Sequence, residues 1–126
     1  MKALIVDDST ESRLLLGKIL SKSFTLDIIE ATNGKEAIRK IASEKPDIVF
    51  LDYEMPMMNG KEALKSIRSI PESKNIPIVM VTSHSERDLV KELISYKVSA
   101  YLVKPLSTEY VTKRLSLIIP TSELKK

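Results

Sequence analysis

The sequence predicts an α/β fold: a doubly wound, five-stranded parallel sheet of (βα)5 type, covered by helices on both faces in a three-layer sandwich. Three observations carry this expectation. Five short apolar runs alternate with five stretches in which apolar residues recur at helical spacing. Three of the runs are nearly all apolar, as strands buried on both faces are. The strands are separated by segments long enough for helical, right-handed crossovers, which parallel neighbours require.

The first run, Ala3 to Val6, leads into a helical stripe of Leu15, Leu16, Ile19 and Leu20. The second, Leu26 to Ala31, includes Asp27 and Glu30 and is the most polar, which suits a sheet edge. Asn33 and Glu36 then stand at capping-box spacing before Ala37, Ile38, Ile41 and Ala42. The third run, Ile48 to Leu51, is followed by a second such pair, Asn59 with Glu62, and by Ala63, Leu64 and Ile67. A fourth, Ile78 to Val81, precedes Leu89, Val90, Leu93 and Ile94. The fifth, Ala100 to Val103, precedes Ser107, a candidate N-cap, and the stripe Val111, Leu115 and Ile118. Residues 1–119 are the expected domain, and 120–126 a polar tail expected to fray.

At 126 residues the chain suffices for one core. With 43% hydrophobic and 29% charged residues, neither a disordered nor a membrane-embedded class is favoured. No apolar run approaches the ~20 residues of a membrane span, and no signal-peptide core follows Met1 and Lys2, so a cytoplasmic protein is expected. The net charge of +3 is spread thinly over the last third, without the dense basic stripe of a nucleic-acid binder. There is no cysteine and His84 is the one histidine, so any metal must be held by oxygen. Met55, Met57 and Met58 around Pro56 read as packing residues.

The polar residues that break the pattern share one kind of position. Asp7 and Asp8 end the first strand, Asp52 the third and Thr82 the fourth, and Lys104 follows the fifth. In an open α/β sheet the carboxyl edge carries the ligand crevice, at the point where strand order reverses. Three carboxylates gathered there repel one another, and either a raised pKa or a bound cation must relieve them. An all-oxygen set suits a hard ion, Mg²⁺ best, with Mn²⁺ as a substitute. Asp52 could then act as a nucleophile toward a phosphoryl group, with Thr82 and Lys104 left to hold phosphoryl oxygens.

Val6-Asp7-Asp8-Ser9, Leu51-Asp52-Tyr53-Glu54-Met55-Pro56, Asn59-Gly60, Val81-Thr82-Ser83 and Tyr101-Leu102-Val103-Lys104-Pro105 together resemble the signature of response-regulator receiver domains, the CheY-like superfamily of two-component signalling. The resemblance covers nearly the whole chain. It implies a flavodoxin-like sheet of order 2-1-3-4-5 and Mg²⁺-dependent phosphorylation of Asp52. It implies metal ligation by Asp7, Asp8, Asp52 and the backbone carbonyl of Glu54, and a cis Lys104-Pro105 bond. Thr82 would bind a phosphoryl oxygen and shift, Lys104 would pair with the phosphate, and Tyr101 would turn inward. The donor would be a histidine kinase or phosphotransfer protein, and a downstream protein would read strand five and its flanking helices. The chain would be a switch rather than an enzyme, monomeric, with dimerisation on phosphorylation open.

Lys97 stands where such domains commonly have glycine, so a positive φ there would strain it. Glu54 and His84, each two residues past a key position, could border the path of a water attacking the acyl phosphate, and an anionic Glu54 is expected to repel phosphate modestly. Rival readings are a receiver excised from a DNA-binding regulator, an aspartyl-phosphate phosphatase or mutase, and a flavin-binding protein of similar strand order. A phosphatase would usually carry its nucleophile after the first strand. A flavin site would want a phosphate loop where Glu11 stands.

Overall fold

A computed structural model describes residues 1–55, 59–83, 91 and 94–125. Its elements are β1 (Lys2–Val6), α1 (Thr10–Ser23), β2 (Asp27–Ala31), α2 (Gly34–Glu44), β3 (Ile48–Asp52), α3 (Gly60–Ser69), β4 (Ile78–Thr82), β5 (Ala100–Val103) and α4 (Thr108–Leu115), with a 3₁₀ turn at Thr121–Glu123. The five strands form one parallel sheet of order β2-β1-β3-β4-β5, as expected. The fourth helical stripe falls largely on residues 84–90, 92 and 93, outside the described residues.

Strand periodicity divides the core in two. Ala3, Ile5, Ile48, Phe50, Val79, Val81 and Leu102 face one side with Leu16, Ile19 and Leu20 of α1 and Val111 and Leu115 of α4. Leu4, Val6, Val49, Leu51, Ile78 and Met80 face the other, against Ala37 and Ile41 of α2 and Ala63, Leu64 and Ile67 of α3. Every residue of β3 and β4 is buried, whereas β2, on the edge, exposes Asp27 and Glu30. Full burial of each large aliphatic contributes roughly 1.5–3 kcal/mol, so the central strands anchor the sheet. At the opposite edge the Val103 N–H donates to the Tyr110 hydroxyl at 2.9 Å, which satisfies one outward-facing group of β5.

The helix starts follow their caps. Asn33, Asn59 and Ser107 accept from the N–H groups of Glu36, Glu62 and Tyr110 at 2.8, 2.9 and 3.2 Å. Ser9 caps α1 in the same way, from Ser12 N–H at 3.2 Å. In α1 the buried stripe is Leu16, Ile19 and Leu20, while Leu15, expected inside, is 48% exposed beside the exposed Leu14. The helix is rotated so that its flank carries the surplus apolar residue.

The chain end corrects the expectation of a frayed tail. The Thr25 N–H donates to the Glu123 carbonyl at 2.7 Å, the Lys125 N–H donates to the Ser23 carbonyl at 2.8 Å, and Leu124 bridges to Phe24. Glu123 also lies 3.4 Å from the Met1 ammonium. A segment with backbone partners of this kind is docked, whatever its polarity.

Lys97 has φ 59°, in the left-handed region that glycine adopts freely and lysine only at a cost. The turn is braced by Arg68 of α3, which donates from Nε to the Tyr96 carbonyl at 2.9 Å and from Nη2 to the Lys97 carbonyl at 3.0 Å. Its Nη1 reaches the Ile76 carbonyl at 2.7 Å, so one guanidinium ties the turns on both sides of β4. The exposed Lys97 side chain forms none of these bonds. Lys97→Gly should therefore stabilise the fold by about 0.5–1 kcal/mol, the relief of left-handed strain less the extra freedom of glycine when unfolded. A rise in the urea midpoint at unchanged slope would show it; a fall would mean the turn gains more from the lysine than its backbone loses.

Candidate functional site

The sheet places the site residues with its own backbone. The Asp7 N–H donates to the Ala31 carbonyl at 3.1 Å, Tyr53 N–H to Val81 at 2.8 Å and Lys104 N–H to Thr82 at 2.8 Å, so the ladders continue one residue beyond the strand ends. By strand alternation Asp7 continues the set Ala3 and Ile5, and Asp52 the set Ile48 and Phe50, so both leave the sheet on the α1 side. They meet in a cleft of about 140 Å³ that Ser12, Leu15, Lys104 and Leu106 also line. The Lys104-Pro105 peptide beside it is cis, as the resemblance implied.

Carboxylate oxygens of Asp7, Asp8 and Asp52 lie within 4.8 Å of one another, with Asp7 and Asp52 buried and Asp8 exposed. Lys104 Nζ stands 3.5 Å from Asp52 Oδ1 and 3.7 Å from Asp7 Oδ2. Burial pushes the Asp52 carboxyl up to about 7, and the negative charge of Asp7 adds to the rise; Lys104 opposes it without cancelling it. Three carboxylates against one ammonium leave a deficit of positive charge that a divalent cation fits, and a donor set made only of oxygens suits a hard one. Both ways of relieving the repulsion, a raised pKa and a cluster that could hold a metal ion, thus fall on the same residues.

Two supports of this cluster were not legible as such. The Arg13 guanidinium donates to the Asp7 carbonyl at 2.7 Å and pairs with Glu30 at 3.0 Å, fixing the turn that carries the acids. The signal in the sequence was a basic residue in the first turn of a helix, where the dipole disfavours it. Gly60 packs its α-carbon against the end of β3 and donates its N–H to the Tyr53 carbonyl at 2.9 Å.

Thr82 is 1% exposed, and its hydroxyl donates to Glu54 Oε1 at 2.9 Å. The same oxygen accepts from the Ser83 N–H at 3.2 Å and the Ser83 hydroxyl at 3.0 Å. Burial pushes the Glu54 carboxyl up, but the bonds from Thr82 and Ser83 outweigh it and hold the group below the ordinary range. Ser83, part of the Val81-Thr82-Ser83 motif, is therefore a donor at the site. Tyr101 is half-buried, its ring 5.6 Å from the Arg114 guanidinium carbon, and its carbonyl accepts from Arg114 at 3.3 Å. His84 and the segment Pro56 to Met58 lie outside the described residues.

With this geometry in place, comparisons with known proteins bear on the chain. The family model for the response regulator receiver domain matches residues 3–116. The chemotaxis protein CheY1 of Helicobacter pylori is 33% identical over 124 residues, spanning 98% of this chain and 100% of that protein. The crystal structure of the chemotaxis protein CheY4 of Vibrio cholerae superposes with a TM-score of 0.86 at 30% identity, covering 94% of this chain and 98% of that one. The Mn²⁺-bound form of the response regulator Rcp1 superposes with a TM-score of 0.82 at 26% identity, covering 99% of each chain.

Proposed function

The chain belongs to the response regulator receiver domain family, and from that premise we propose that it accepts a phosphoryl group on Asp52 from a histidine kinase or phosphotransfer protein. The observation that carries the assignment to Asp52 is its position: a buried carboxyl at the end of β3, with Asp7 and Asp8 within 4.8 Å and Lys104 3.5 Å away. A rival phosphatase would carry its nucleophile after β1, and a flavin would need a cavity of several hundred Å³ or more where this cleft measures about 140 Å³.

Asp7, Asp8, Asp52 and the Glu54 backbone carbonyl would hold Mg²⁺, with Mn²⁺ as a substitute, consistent with the Mn²⁺-bound relative. When bound, the cation supplies the positive charge that the carboxylates and the incoming phosphoryl oxygens lack. Asp52 supplies the nucleophilic oxygen: an O–P bond to its carboxylate forms as the donor's P–N or P–O bond breaks, and the donor leaves with its electron pair. Lys104 faces the new charge directly. Thr82 supplies a hydroxyl donor, and Tyr101 is the candidate to move with it.

The output would be a protein partner reading β5 and its flanking helices, through a shift between two states that the added charge of about −1.5 to −2 biases. No helix of the described residues is long and apolar enough to cross a membrane. Incubation with a small acyl-phosphate donor and Mg²⁺, followed by intact mass, tests the proposal: the wild type should gain one phosphoryl group, and neither Asp52→Asn nor wild type in chelator should. An adduct that survives in Asp52→Asn would move the acceptor elsewhere.

A further inference from the structure

We propose that the Glu54 carboxylate is an internal competitor for the oxyanion donors at the end of β4, so that a phosphoryl group on Asp52 must evict it before Thr82 can turn to phosphate. This rests on the reading of Asp52 as acceptor. A single oxygen, Glu54 Oε1, collects three donors: the Thr82 hydroxyl at 2.9 Å, the Ser83 N–H at 3.2 Å and the Ser83 hydroxyl at 3.0 Å. Two hydroxyls and a main-chain N–H converging on one anionic oxygen make an oxyanion site already filled by the chain itself.

Competition follows from what a hydroxyl can do. Thr82 has one O–H to donate, and it cannot serve the Glu54 carboxylate and a phosphoryl oxygen at full strength together. Glu54 is also tethered to the acceptor, two residues along, with its N–H 3.4 Å from Asp52 Oδ1. Phosphate on Asp52 would therefore press a second anion against a carboxylate that cannot diffuse away, only swing out.

Eviction has two consequences. The Thr82-Ser83 donors are freed in the same event that binds phosphate, and the Glu54 side chain moves with the switch. Glu54 thus becomes a second moving group, separate from β5. A purely repulsive role for Glu54 would slow the reaction without coupling it to this movement, so the two ideas differ in which partner residues matter.

Beryllofluoride, a phosphoryl mimic, is the probe. It would be titrated with Mg²⁺ into the wild-type chain, Glu54→Gln and Glu54→Ala, each with and without Thr82→Ala, and followed by ¹H–¹⁵N spectra including the Ser83 amide. Removing a charge-assisted competitor should tighten binding about tenfold in Glu54→Ala, with Glu54→Gln between. In the Thr82→Ala background, where the contested hydroxyl is gone, the gain should fall to less than a third. The Ser83 amide should shift on beryllofluoride binding in the wild type toward its position in Glu54→Ala.

Equal affinity in wild type and Glu54→Ala would overturn the competition, and so would a gain undiminished by Thr82→Ala, the mark of plain repulsion. Absence of any beryllofluoride binding to wild type with Mg²⁺ present would instead bring down the reading of Asp52, and this inference with it.

Discussion

In metal-free solution above pH 7, Asp52→Asn should be more stable than the wild type by a few kcal/mol, on the order of 3, although it removes the residue on which the proposed chemistry depends. The folded protein holds the Asp52 carboxyl near 7, against 3.8 for the unconstrained group, chiefly through burial and secondarily through the charge of Asp7. The folded state thus binds a proton that the unfolded state has already released. The stability this gives is fully present below about pH 4, declines as pH rises, and is lost once pH passes about 7. Asparagine carries no charge in either state and escapes the decline. The gap between variant and wild type should therefore open between pH 4 and 7 and stay level above. Mg²⁺ should close it by stabilising the wild type, since bound cation favours the ionised carboxylates. Urea denaturation at pH 5 and pH 8, with chelator and with Mg²⁺, reads both effects; a difference that does not vary with pH would mean Asp52 titrates as an ordinary acid.

Gly60→Ala is expected to cost about 3 kcal/mol, at the upper end of what overpacking does. A β-carbon there would lie 2.6 Å from the Tyr53 α-carbon, 2.7 Å from the Asp52 carbonyl oxygen and 2.8 Å from the Met80 methyl. The methyl can rotate away; the two backbone atoms cannot. Relief would have to come from moving the start of α3 off the end of β3, and the carbonyl that moves first belongs to Asp52. Mg²⁺ affinity should accordingly fall along with the urea midpoint. Gly17→Ala is the control, because the nearest atom to its β-carbon is the Ile5 methyl at 4.0 Å. In mid-helix that substitution should stabilise by roughly 0.5–1 kcal/mol. Equal effects at the two glycines would contradict the steric account.

Much of the frame was legible in the residues because strong local signals agreed with one another. The apolar runs at β1, β3 and β4 announced covered strands, the charges in β2 announced an edge, and Asn33, Asn59 and Ser107 marked helix starts that the structure keeps. Lys97 was legible by a different route, as a lysine where similar chains have glycine, and its φ is positive. What escaped depends on where long or tethered side chains end. Arg68 looks like one charged position on an amphipathic helix, yet its guanidinium reaches carbonyls 8 and 29 residues away. The direction of the Glu54 carboxylate, toward Thr82 and Ser83, follows from the backbone just past β3, which no periodicity describes. The docking of residues 123–125 on Ser23 to Thr25 was masked by a composition that reads as solvated.

A strand hydrogen-bonded along both edges has no spare residue. β3 pairs with β1 from Ile48 to Leu51 and with β4 from Val49 to Asp52, so adding or deleting one residue within it would exchange the helix layers its side chains meet. The same slip would carry the carboxylate of residue 52 to the other side of the sheet, away from Lys104. Length variation in such a chain is confined to its connections, and a mutation that shifts this strand would abolish folding and signalling as a single lesion.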